Sequence, residues 1–145
     1  MDIISDIDGT VADASHRLDF IRTKPKNWKA FFQAQIHDKV FLDIQFLLHS
    51  LKNSGCRIIM VTGRPELYRE DTIEWLSNNN LSIYDKLYMR PHNDFREDDI
   101  IKEKILVKML EEGYNPKLVL EDRDRVVAMW RRNGIRCLQV QDGNF

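Results

Sequence analysis

The chain has 145 residues and a mass of 17.2 kDa, a length that predicts one domain over 1–145. Its 22 basic and 23 acidic side chains leave a formal net charge of −1, with 43% hydrophobic and 31% charged residues. That balance excludes a broadly basic nucleic-acid binder, an acidic tail and a supercharged surface, while leaving room for a local basic site. In chain order, residues 2–7 read as a strand running into Asp6 and Asp8. Residues 15–23 and 27–37 read as two short helices broken near Pro25, a small helical insert over about 14–40 in which Trp28 is expected as packed core. In residues 43–53, Ile44, Leu47, Leu48 and Leu51 fall at i, i+3, i+4 and i+7, one face of a helix that Asn53-Ser54-Gly55 stops. Residues 56–61 are a β-branched-rich strand, and 65–79 a helix entered through Pro65. A strand follows at 85–90 and a helix at 97–112 ended by Gly113. Then come a strand at 117–121, a helix at 123–133 ended by Gly134, and a last strand at 135–140.

The alternation predicts an α/β fold: a Rossmann-like, doubly wound sheet of about five parallel strands, with a minimal helical cap after strand one. Ligands of such sheets sit outside the carboxyl ends of the strands, so the polar residues there are the candidates for chemistry. After strand one stand Asp6-Ile7-Asp8-Gly9-Thr10. Two carboxylates this close repel unless a proton or a cation intervenes, and a hard ion such as Mg²⁺ suits them; an Asp-rich turn is the plain alternative. After strand two, Thr62-Gly63-Arg64-Pro65 reads as an anion site at a helix N-terminus, or as an ordinary Thr-capped helix start. Asp98 and Lys102 are spaced i, i+4, and the spacing does not separate Lys102 from Lys104. Glu121-Asp122 after strand four suit a metal or a helix cap.

In this order the motifs resemble the haloacid-dehalogenase superfamily, and within it the phosphatase half of bacteriophage polynucleotide kinase/3′-phosphatases. The likeness spans nearly the whole chain: Asp6-x-Asp8-Gly9-Thr10, Val61-Thr62-Gly63-Arg64, Met89-Arg90, Arg96 to Lys102, Glu121-Asp122-Arg123 and the run Val126 to Cys137. It departs at Glu121, where the phage pattern has Asp, at Thr62, where it has Ser, and in a shorter segment between Met89 and Asp98. The kinase's G-x-x-x-x-G-K-[ST] loop is not in this sequence.

The resemblance implies a Mg²⁺-dependent phosphomonoesterase acting on a phosphorylated nucleic-acid end or nucleotide. Asp6 would be the nucleophile that forms an aspartyl-phosphate. Asp8 would be the general acid and then base, carrying a proton when substrate is bound, in an apolar or hydrogen-bonded setting. Thr62 and Lys102, preferred over Lys104, would bind the transferring phosphoryl group. Gly9, Thr10, Arg17, Gly63, Arg64, Arg90 and Asp98 would surround the substrate. Asp6, the backbone carbonyl of Asp8, and Asp122 would hold the metal, with Glu121 close by. A separate kinase or ligase is the partner it implies. The same chemistry on a mononucleotide or sugar phosphate is the second expectation, and a noncatalytic phosphate-binding module the third.

Met1 to Asp6 lack the basic start and long apolar core of a secretory leader, and no apolar run approaches the ~20 residues of a membrane span. Cys56 and Cys137 lie beside apolar runs and are expected as free thiols in a reducing, cytoplasmic setting.

Overall fold

The computed structural model describes residues 1–145. Five parallel strands form the central sheet in the order β5-β4-β1-β6-β7: β1 (Asp2–Ser5), β4 (Arg57–Pro65), β5 (Lys86–Arg90), β6 (Pro116–Glu121) and β7 (Arg136–Gln139). The helices are α1 (Asp19–Arg22), α2 (Trp28–Gln33), α3 (Leu42–Asn53), α4 (Arg69–Asn78), α5 (Asp98–Glu111) and α6 (Asp124–Arg132).

Period-2 alternation sorts the strand side chains between two cores. Ile3, Ile58, Met60 and Leu87 pack with Leu48 of α3 and with Trp75 and Leu76 of α4. Their neighbours Ile4, Ile59, Val61, Tyr88 and Val119 pack with Ile105 and Met109 of α5 and with Val126 and Trp130 of α6. Each large side chain removed from water contributes about 1.5–3 kcal/mol, so the doubly covered sheet is the stable layer. No helix is long and apolar enough to cross a membrane. β1 lies between β4 and β6, where the connections turn to opposite sides, so the loop after β1 opens at the switch point of the sheet.

Three expectations are corrected. The strand expected to stop at Val61 runs on through Thr62-Gly63-Arg64 to Pro65, because β5 continues to pair with it as far as Pro65 opposite Arg90. A 3₁₀ turn, Glu66–Tyr68, then precedes α4. Thr62 and Gly63 therefore stand at a strand end and not at a helix N-terminus. The insert is less helical than its pattern: α1 and α2 have four and six residues, flanked by 3₁₀ turns at Ser15–Arg17 and Ala34–His37. Its neck is a two-residue antiparallel ladder, β2 (Ala12–Asp13) against β3 (Lys39–Val40), too short to show a period. Trp28 is 48% exposed, stacked on Phe32 and edge-on to Phe31.

Candidate active site

Polar side chains that are almost fully buried gather at the carboxyl ends of β1, β4 and β6. They form two centres. The first is built on Asp6, whose amide still donates to the Leu120 carbonyl at 3.0 Å, so the sheet ladder fixes where its side chain emerges. Its Oδ1 accepts from Lys102 Nζ at 2.7 Å and its Oδ2 from the Thr10 hydroxyl at 3.0 Å. Lys102 projects from α5, and its Nζ also lies 2.8 Å from Glu121 Oε2 and 3.4 Å from Asp98 Oδ2. Burial works against the ammonium, but Asp6, Asp98 and Glu121 outweigh it and hold Lys102 well above the ordinary lysine range.

Glu121 and Asp122 end β6. Glu121 is largely engaged: Oε1 accepts from the amides of Asp122 and Arg123, at 3.1 and 3.4 Å, while Oε2 takes Lys102. Asp122 packs on Gly9. That position has φ +82°, and a Cβ built on it would lie 2.1 Å from Asp122 Oδ2, so backbone and space both require glycine. Carboxylate oxygens of Asp6, Glu121 and Asp122 all lie within 4.8 Å of one another. Burial, then the charge of Glu121, pushes Asp6 well above the ordinary carboxylate range and Asp122 up to about 7. Three buried carboxylates thus face one ammonium. A crowd of hard oxygens short of positive charge fits a divalent ion such as Mg²⁺, and Asp122, free of Glu121's commitments to Lys102 and two amides, is the better placed of the two adjacent acids.

Asp8 belongs to the second centre. Arg64 Nε lies 3.0 and 3.1 Å from its two oxygens, Arg64 Nη2 lies 2.5 Å from Oδ1, and Arg17 Nη2 lies 2.9 Å from Oδ1. Burial raises this carboxyl, but Arg64 and Arg17 overcome it and hold it at about 2. The apolar or hydrogen-bonded setting is an expectation for the substrate complex; in the free protein two guanidiniums grip Asp8 and favour its carboxylate. Both arginines have fully buried side chains, and behind them stands Asp38. Its oxygens accept from Arg17 Nε at 2.8 Å, Arg17 Nη2 at 2.7 Å and Arg64 Nη2 at 3.3 Å, and His16 Nε2 lies 2.6 Å away. Gln35 Oε1 accepts from Arg64 Nη1 at 2.5 Å. Asp38, Gln35 and His16 were not among the residues expected from sequence. All three come from the insert, and an acid after a short turn has no local signature.

The remaining candidates form the wall between the centres and β5. The Thr62 hydroxyl accepts from the Arg64 amide at 3.1 Å. A Cβ on Gly63 would lie 2.1 Å from Asp98 Oδ1, so this glycine admits the Asp98 carboxylate. Arg90, expected on the substrate, directs its guanidinium to protein instead: Nε to the Gly63 carbonyl at 2.8 Å, Nη1 to the carbonyls of Asp94 and Arg96, and Nη2 toward Asp98 at 3.4 Å. It reaches the first centre only through Asp98. Lys104 lines a separate cleft of about 470 Å³ along the outer edge of β5.

The chain after β7 holds the acid loop in place, a role not visible in its sequence. The Val140 amide donates to the Glu121 carbonyl at 3.0 Å, Gln139 Nε2 to the Asp122 carbonyl at 2.9 Å, and the Asp124 amide to the Gly143 carbonyl at 2.9 Å. Gln141 donates to the Gly9 carbonyl on the opposite loop.

Comparisons with known proteins place the chain in a family. Residues 1–145 match the family described as the polynucleotide kinase PNKP phosphatase domain. A viral protein described as a bifunctional polynucleotide kinase/RNA ligase, from Autographa californica nuclear polyhedrosis virus, is 29% identical over 131 residues, 89% of this chain and 17% of that protein. A chain in the solved Pnkp1/Rnl/Hen1 complex superposes with a TM-score of 0.84 at 33% identity, over 99% of this chain and 46% of that one. A haloacid dehalogenase-like hydrolase from Streptococcus pneumoniae shares the fold, with a TM-score of 0.69 at 15% identity over 95% of this chain and 83% of that one. The chain thus spans less than half of its solved relative and under a fifth of the viral one.

Proposed function

This chain belongs to the polynucleotide kinase phosphatase-domain family and is a haloacid-dehalogenase-type phosphatase; from that premise we propose that it removes the 3′-phosphate from polynucleotide ends or nucleoside 3′-phosphates through an aspartyl-phosphate on Asp6. One observation carries the reading: Asp6 is fixed by Lys102 and Thr10 amid an acidic oxygen cluster, while Asp8, two residues on, is held separately by two arginines.

Asp6 is a weakly basic oxygen, so its attack needs the phosphoryl charge neutralised. Lys102 supplies a buried ammonium, and Thr62 with the neighbouring amides supplies donors. Mg²⁺, held by Asp6, Asp122 and the Asp8 backbone carbonyl, with Glu121 close by, would add the remaining positive charge. As Asp6 bonds to phosphorus, the P–O3′ bond breaks and the leaving oxygen takes a proton from Asp8. Asp8 then takes a proton from the water that attacks phosphorus, releasing phosphate and restoring Asp6. Asp8 begins as a carboxylate. An arriving phosphate dianion repels the Asp8 charge and so favours the protonated form that the first step needs. The likeness to the Pnkp1/Rnl/Hen1 structures supports a strand-repair setting, with a separate kinase or ligase acting on the same ends.

The test measures phosphate release from 3′-phosphorylated oligonucleotides and from nucleoside 3′-monophosphates, with Mg²⁺ and after chelation. Oligonucleotide ends should be hydrolysed with Mg²⁺ and left intact without it, and Asp6→Asn should lower turnover about 10³-fold or more. Mononucleotides proving far better substrates than every oligonucleotide would remove the end-repair reading. An Asp6→Asn variant keeping about a tenth of the activity would remove the nucleophile.

A further inference from the structure

We propose that Asp38 is a positioning residue for the acid–base carboxylate Asp8, acting through Arg17 and Arg64; this rests on the assignment of Asp8 above. The side chain of Asp38 is fully buried, and its hydrogen bonds go to Arg17, Arg64 and His16. Its oxygens bind Arg17 through two nitrogens, at 2.8 and 2.7 Å, and lie 3.3 Å from the same Arg64 nitrogen that meets Asp8 at 2.5 Å. The side-on fork on Arg17 fixes the plane of that guanidinium. The nitrogen shared between Asp38 and Asp8 therefore points at Asp8 because Asp38 holds it.

Asp38 is itself anchored from two sides. Its backbone carbonyl accepts from Trp75 Nε1 of α4 at 2.9 Å, and His16 Nε2 lies 2.6 Å from its Oδ1. The second centre then contains two guanidiniums and two carboxylates, a charge-balanced set of which only Asp8, 29% exposed, reaches solvent. Without Asp38, both cations would have Asp8 as their only carboxylate, and the Arg17 Nε–H would lose its acceptor in the interior, a cost that drives rearrangement. The insert thus contributes the frame that aims the acid–base group, even though its two helices are too small to cover the site.

The chemistry supplies a readout that a merely structural residue would not move. In the first step the P–O3′ bond breaks, its electron pair stays on O3′, and that oxygen takes the Asp8 proton. A sugar alkoxide is a poor leaving group and needs the proton, whereas p-nitrophenolate departs without it. The experiment compares kcat/KM, which ends at phosphoryl transfer to Asp6 and so leaves out the later role of Asp8 in hydrolysing the intermediate, for a nucleoside 3′-phosphate and for p-nitrophenyl phosphate in the wild type, Asp8→Asn, Asp38→Asn and His16→Ala.

Asp8→Asn, the benchmark, should lower the nucleotide kcat/KM about 10²-fold or more and the aryl kcat/KM far less. Asp38→Asn should lower the nucleotide kcat/KM about tenfold or more, with the aryl kcat/KM within about threefold. His16→Ala, at a side chain that is 41% exposed, should move the same ratio in the same direction by at least about twofold. Equal losses on both substrates in Asp38→Asn, or no loss on either, would overturn the role of Asp38. If Asp38→Asn does not melt cooperatively, His16→Ala decides, and an unchanged ratio overturns it. Failure of Asp8→Asn to separate the substrates would strike the assignment of Asp8 instead.

Discussion

Lys102 and Lys104 are chemically identical and two positions apart on α5, about 200° around the helix axis. Lys102 reaches three carboxylates at the sheet end, whereas Lys104 faces the cleft beside β5. Lys102→Ala should lower turnover about 10²-fold or more and Lys104→Ala less than about twofold, measured on a 3′-phosphorylated oligonucleotide. Removing Lys102 also strips the buried acids of their cation, a loss of about 3–5 kcal/mol that a thermal melt will register. Equal effects on turnover would remove the assignment of this lysine. At this scale the sequence was legible where a side chain stands on a strand end, as Asp6, Asp8 and Thr62 do, because a strand end leads out of the sheet in one place. It was silent on which face of α5 looks inward and on Asp38, whose meaning depends on two arginines drawn from elsewhere in the chain.

Among the elements, the strands were readable because β-branched and apolar runs must be buried on both faces of a parallel sheet. The insert was read least well: its turns of three or four residues and its two-residue ladder fall below the length at which any period shows. The segment after β7 carries no chemistry of its own, and its part in the site emerged only from its hydrogen bonds to the acid loop. Gly143 marks the contact. A Cβ there would lie 1.8 Å from the Asp122 carbonyl oxygen, a backbone atom that cannot swing aside. Gly143→Ala should therefore cost about 1–3 kcal/mol in a melt and raise the Mg²⁺ concentration needed for half-maximal turnover. An unchanged metal requirement in a destabilised variant would show that this segment supports the fold alone.

Over the whole molecule, the near-zero net charge conceals two unlike centres, a balanced arginine–aspartate one and an acid-rich one. The imbalance has a pH signature. Burial and Glu121 raise Asp122 to about 7, against an ordinary value near ~3.9, so the folded state binds this proton more tightly than the unfolded chain. Stability from this group then falls as pH rises from about 4 to about 7 and levels off above that. Asp8, held at about 2, acts in the opposite sense and only below about pH 4, outside this window. Saturating Mg²⁺ should accordingly raise the melting temperature more at about pH 7.5 than at about pH 5.5, because at the lower pH protons compete for the same oxygens. Equal shifts at both values would mean that the ion does not bind at Asp122.

The first centre also draws on distant parts of the chain: Lys102 meets Asp6 across 96 residues, and Gln141 meets Gly9 across 132. Within this stretch a ribosome makes Asp6, the proposed nucleophile, well before the residues that steady its acidic partners. A nascent fragment ending before β7 has Asp6, Asp8 and Lys102 but not the contacts that hold Asp122 against Gly9. Hydrolytic competence therefore arrives in one late event, and a chain cut between α6 and β7 should yield two inert pieces whose activity returns only when they are mixed.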